Sequence, residues 1–150
     1  MKKTLTLSVL LASSLIFGSS TTFADTVIQE GEIPQAIHKF LSENFAKEKI
    51  SVAKKDGGIL FISSPSYDVI LTNGTKIEFD SKGNWKEISI KSEPIPQALI
   101  PTKIANAVAS KFPNAKIISI EKDRKNFEVK LSNNYELELS EDGKILDIDD

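Results

Sequence analysis

The chain has 150 residues, with 19 basic and 21 acidic side chains, one histidine and no cysteine. That composition excludes disulfide staples and zinc sites of the usual cysteine- and histidine-built kinds. It also argues against a nucleic-acid partner, which needs clustered Lys and Arg facing phosphates, whereas Arg124 is the sole arginine.

Lys2 and Lys3 open the chain, an apolar run follows from Leu5 to Phe17, and small and polar residues lead to Ala24. A charged start, a short apolar middle and small residues at a cut are the marks of a secretory signal peptide. The run falls short of the roughly 20 apolar residues that a bilayer span needs. Residues 1–24 are therefore expected to be removed on export, to the periplasm or the medium of a bacterium. No stable membrane insertion is expected after that cleavage, and no cysteine offers a lipid attachment point. Losing Lys2 and Lys3 from 19 basic residues leaves 17 against 21 acidic, a net charge of −4.

Two segments, 25–92 and 93–150, then follow one order of elements. Ile33-Pro34 and Ile100-Pro101 each open a helix, with proline at the first helical position, where its missing N–H costs nothing. Ile33, Ile37, Phe40, Leu41 and Phe45 share one face of the first helix, and Ile100, Ile104, Ala107, Val108 and Phe112 one face of the second. Pro113 marks the end of the second helix.

Alternating strands follow in each segment. Ile50–Lys54, Tyr67–Leu71, Ile77–Asp80 and Trp85–Ile90 match Ile117–Glu121, Phe127–Leu131, Leu137–Ser140 and Ile145–Asp149. Asn73-Gly74 is a strong hairpin signal and Asn133-Asn134 its weaker counterpart. Residues 57–66 make the first segment longer, either as extra core cover or as a partner-binding flap carrying Phe61. The linker from Lys91 to Gln97 is too short to separate the segments, and Pro96-Gln97-Ala98-Leu99 is read as a short helical turn.

Tyr67, Val69, Leu71, Ile77 and Phe79, with Phe127, Val129, Leu131, Leu137 and Leu139, point to one side of their strands. Asp68, Lys76, Glu78, Glu128, Lys130, Glu136 and Glu138 point to the other. That is an antiparallel sheet with one face on a core and one in water. The helices need the apolar face. The expected fold class is α+β: two tandem helix-plus-antiparallel-sheet repeats, a two-layer α/β sandwich with one open sheet face. Parity places Ile70, Trp85 and Ile145 on the open face. With Phe61 they are the candidate partner-binding residues, Trp85 foremost because tryptophan is enriched at binding hot spots; its competing reading is a cap on the sheet edge or packing at the joint between the two segments.

The Ile-Pro helix starts, Asn44-Phe45 and Lys111-Phe112-Pro113 at the helix ends, the strand Phe127–Leu131, Asn73-Gly74, Ile77–Asp80 and Gly83-Asn84-Trp85 together resemble the PepSY-like family of exported bacterial proteins, also described as β-lactamase-inhibitor-like. The resemblance covers nearly all of the mature chain. It implies helices on one side of a four-stranded antiparallel sheet, repeated in tandem. It also implies, for the broader grouping, a role in regulating or restraining exported peptidases. No inhibitory contact residue carries over, and Ala46 stands where the second segment has Pro113.

Catalytic chemistry is not evident. His38 sits beside the apolar face of its helix, no Gly-x-Ser-x-Gly occurs, and no glycine-rich phosphate loop is present. Glu141, Asp142, Asp147, Asp149 and Asp150 gather near the end, without the spacing of a calcium loop. The expectation is a non-catalytic module with no cofactor and no metal site. Its partner would be an envelope or secreted protein, one possibility being an inhibited or regulated peptidase. A periplasmic carrier of a small molecule or calcium is the alternative.

Overall fold

The computed structural model describes residues 26–57 and 64–150. The expected signal segment, residues 1–24, and Phe61 lie outside the described residues. The strands are β1 (Thr26–Ile28), β2 (Ile50–Asp56), β3 (Ser66–Leu71), β4 (Lys76–Phe79), β5 (Trp85–Ser89), β6 (Ile117–Lys122), β7 (Asn126–Leu131), β8 (Glu136–Ser140) and β9 (Ile145–Asp149). They form one nine-stranded sheet in chain order, every neighbour antiparallel. Two short helices, α1 (Gln35–Asn44) and α2 (Thr102–Lys111), pack on one face. Pro34 and Pro101 stand one position earlier than expected, as extended residues just before each helix.

The alternation of the sequence builds the core. Val69, Ile77, Ile88, Ile120, Val129 and Leu137 lie directly opposite one another on successive strands. All of them are 0% exposed. Ile37 and Leu41 from α1, and Ile104 and Val108 from α2, close this row from above. Phe40 meets Phe79 edge-on, with ring centroids 5.4 Å apart. Each buried isoleucine or leucine in such a row contributes about 1.5–3 kcal/mol relative to an exposed one.

This arrangement corrects the expected fold class. The sheet does not break into two tandem helix-plus-sheet sandwiches; it is a single, sheet-dominated body. The physical reason lies at β5. An Ile88 on a terminal strand would be exposed on its outer flank, and β6 supplies Ile120 to cover it, with Glu87 opposite Glu121 and Ser89 opposite Ser119. The linker reinforces this joint. The Ile90 N–H donates to the Ile118 carbonyl at 2.8 Å and the Ile95 N–H to the Ile117 carbonyl at 2.9 Å. Ile90, Ile95 and Leu99 are buried, and Gln97–Leu99 forms the expected helical turn, of 3-10 type.

The β4–β5 and β8–β9 turns sit under the helix starts. Gly83 and Gly143 both have φ above +80°, a region that side chains rarely adopt. A Cβ on Gly143 would lie 2.7 Å from the Lys103 carbonyl oxygen of α2. Strain and close approach therefore act together. Gly143→Ala is expected to lower stability by about 1–3 kcal/mol, read as a reduced urea midpoint; an unchanged midpoint would show that this turn does not support α2.

Candidate recognition face

The face away from the helices carries a row of carboxylates. Asp68 lies opposite Glu78, Glu78 opposite Glu87, Glu87 opposite Glu121, Glu121 opposite Glu128, Glu128 opposite Glu138 and Glu138 opposite Asp147. Each strand from β3 to β9 thus places one acidic side chain on the same line. Glu121, Glu128, Glu138 and Asp147 are exposed, and Asp68, Glu78 and Glu87 half-buried. Like charges directly opposite on neighbouring strands destabilise a sheet.

Basic and amide side chains offset part of that repulsion. Lys86 Nζ lies 3.1 Å from Glu78 Oε1 and Lys76 Nζ 3.8 Å from Asp68 Oδ2. Lys130 Nζ lies 2.8 Å from Glu136 Oε1, one row over. The Asn126 side-chain amide donates to Glu138 Oε1 at 2.6 Å. The Lys86 ammonium is held above its ordinary pKa, first by its hydrogen bond to Glu78, against a smaller opposing effect of burial, and then by the charges of Glu78, Glu121 and Asp123. Lys130 is raised in the same way, first by its hydrogen bond to Glu136, with Glu128 and Glu87 contributing. Both lysines thus sit in the field of the row. Among the described residues no group of His, Asp or Glu converges as a metal site.

Residues 65–147 match the family described as "Putative beta-lactamase-inhibitor-like, PepSY-like". The chain belongs to the PepSY-like family. Three solved structures share its fold and much of its sequence. A "putative calcium-regulated periplasmic protein" of Bacteroides thetaiotaomicron is 41% identical, with TM-score 0.76, covering 84% of this chain and 97% of its own. A periplasmic protein of the DUF2874 family from Bacteroides vulgatus is 38% identical, with TM-score 0.77, covering 89% of this chain and 100% of its own. A further periplasmic protein of unknown function from Bacteroides vulgatus is 31% identical, with TM-score 0.77, covering 85% and 100%. No curated protein matches the chain in sequence. The relatives are described as periplasmic, and this PepSY-like protein is periplasmic or secreted. Among the described residues no helix is long and apolar enough to cross a membrane. None of the matched descriptions names an enzymatic activity.

Within the PepSY-like fold the sequence-chosen residues separate. Ile70 is on the open face, opposite Val52 and Lys76. Trp85 and Ile145 are not, which corrects their expected placement. Trp85 lies opposite Phe79, and Ile145 opposite Leu139, both on the helix side and packed against the core. A bulge in each strand inserts one residue after them, so that Lys86 and Glu87 together face Glu78, and Leu146 and Asp147 together face Glu138. Trp85 instead joins Phe40, Lys122 and Arg124 around a depression at the rim of the helix side. His38 Nε2 lies 3.0 Å from the Glu30 carbonyl, where its N–H holds the turn before α1.

Sequence reasoning missed Glu87, Glu121 and Leu146, and grouped Asp147 with the terminal acidic residues rather than with the row. The signal was present: Trp85-Lys86-Glu87-Ile88 and Ile145-Leu146-Asp147-Ile148 each put two residues between apolar positions on the same side, which is what a bulge requires. The row also yields a test. Because the folded pKa of Lys86 is raised, its contribution is complete below the free value of 10.5 and fades as pH rises through the folded value. Lys86→Met is expected to cost up to about 1 kcal/mol at neutral pH, with urea midpoints of variant and parent converging only well above pH 10.5. Equal midpoints at neutral pH and low salt would show that the row needs no counter-charge.

Proposed function

We propose that this protein is an exported, non-catalytic binding module that uses the open sheet face to hold a periplasmic or secreted protein through basic groups on that partner. One observation carries the reading: a carboxylate from each strand from β3 to β9 on one line, kept despite the repulsion this imposes. A sheet stores such a row at a cost, and a cationic partner would relieve it. Complementary charge of this kind steers encounter and selects partners. Inhibition or regulation of an envelope peptidase is a specific form of this reading, consistent with the family description. Ile70 remains a candidate contact on this face, while Trp85 and Ile145 leave it.

Calcium is the second reading. A relative 41% identical to this chain is described as calcium-regulated, and carboxylate oxygens are the ligands that calcium takes. On this reading the ion would bridge neighbouring carboxylates of the row and set whether the face is available.

The two readings separate in one set of experiments. Envelope proteins retained by the exported chain at low salt should be lost on the triple variant Glu87→Gln, Glu121→Gln, Glu128→Gln. They should stay on the helix-side control Lys39→Gln. Retention by the triple variant would defeat the reading. Calorimetry with calcium chloride should show no saturable heat under the first reading; saturable heat that the triple variant lacks would establish the second.

A further inference from the structure

The large hydrophobics that stay exposed among the described residues are Val27, Leu146 and Ile148. All of them sit on β1 or β9, the two edges of the sheet. Edges carry unpaired N–H and C=O groups that invite another strand. The pairing registers show which strand each edge is built to take.

β9 stands on β8 as β5 stands on β4, bulge included. Glu87 faces Glu78 and Ile88 faces Ile77; Asp147 faces Glu138 and Ile148 faces Leu137. The outer edge of β5 is occupied, since β6 pairs there with Ile120 opposite Ile88. Among the described residues no strand takes the outer edge of β9, and Ile148 is 37% exposed where Ile88 is 0%. β9 is therefore shaped for a strand of the β6 pattern.

β2 has that pattern. Ala53 faces Val69 on β3 as Ile120 faces Val129 on β7, and Lys54 faces Asp68 as Glu121 faces Glu128. The outer edge of β2 holds β1, which pairs Val27 with Lys54 and Ile28 with Ala53. β1 thus lies in the lane, direction and register that β5 takes on β6. It is only 3 residues long, and Val27 is 68% exposed.

We propose that β1 is a displaceable cap, and that its release lets a second copy of this chain join head to tail, β9 of one copy on β2 of the next. Strand direction permits it. In an antiparallel sheet taken in chain order, β9 runs parallel to β1 and antiparallel to β2. The joined register sets Asp147 opposite Lys54, Ile148 opposite Ala53 and Asp149 opposite Val52. Asp147 then meets a base on the open face, Ile148 meets an apolar residue on the helix side, and Asp149 lies beside the half-buried Val52. Pairing of β9 with its own copy instead brings Asp147 and Asp149 against their equivalents, which like-charge repulsion opposes. The contact is heterologous, so successive copies extend rather than close.

The test uses the full exported chain and sedimentation velocity over a wide concentration range. The parent chain should remain one species. Val27→Pro with Ile28→Asp should expel β1 and yield a concentration-dependent series reaching beyond two chains. Adding Asp147→Lys, which faces Lys54 with like charge, should return the series to single chains, and adding Asp147→Glu should not. An expelled variant with parental circular dichroism that stays single, or association indifferent to Asp147→Lys, overturns the proposal. Val27→Pro alone, which removes one N–H from an edge strand and leaves the core intact, should give the same ranking at higher concentration; its failure to associate at any concentration also overturns it.

Discussion

The pairing of β5 with β6 is the contact on which the rest of this structure depends. On the helix side it sets Ile88 against Ile120, both 0% exposed. On the open side it sets Glu87 against Glu121. These two residue pairs therefore merge two apolar patches into one core and two acidic stripes into one row. Without this joint each stripe would span only part of the sheet. The apolar gain also explains how the acidic row is tolerated. Each fully buried isoleucine contributes about 1.5–3 kcal/mol, whereas an exposed charge pair is worth up to about 1 kcal/mol. Core burial decides the register, and the charges follow it.

How much of this was legible in the sequence depends on what each residue's position requires. Strand and helix identities were readable because Val69, Ile77, Val129 and Leu137 alternate with charges and because Ile37 and Leu41 recur at helical spacing. The Asn73-Gly74 and Asn133-Asn134 turns were readable because Asn and Gly tolerate the positive φ that Gly74 and Asn134 adopt. The joining of the two segments was not, because an edge strand and an interior strand of an antiparallel sheet carry the same alternation. Ile88 announces that it is buried, and nothing local says by what. A resemblance to a family whose unit has four strands encouraged division, whereas the linker residues Ile90 and Ile95, both buried, argue for continuity.

The candidate face was half legible for a related reason. Glu78, Glu128 and Glu138 were assigned to the water side by simple parity, and they are there. Trp85 and Ile145 were assigned by the same parity and lie on the helix side, because one bulge residue in β5 and one in β9 reverse the count. A tryptophan picked for its chemistry thus became a rim residue beside Phe40, and the row of carboxylates took its place as the feature with the most to explain. The bulges serve the row: by doubling Lys86 with Glu87 they bring a base to Glu78, and by doubling Leu146 with Asp147 they leave an apolar residue exposed at the free edge.

A sheet welded at β5–β6 should unfold as a unit, since the buried residues of both halves form one cluster. Urea denaturation followed at once by Trp85 fluorescence, which reports on β5, and by far-ultraviolet circular dichroism, which reports on the whole sheet, tests this directly. Coincident single transitions with one midpoint are the predicted result. A two-step dichroism curve in which Trp85 follows only one step would contradict it.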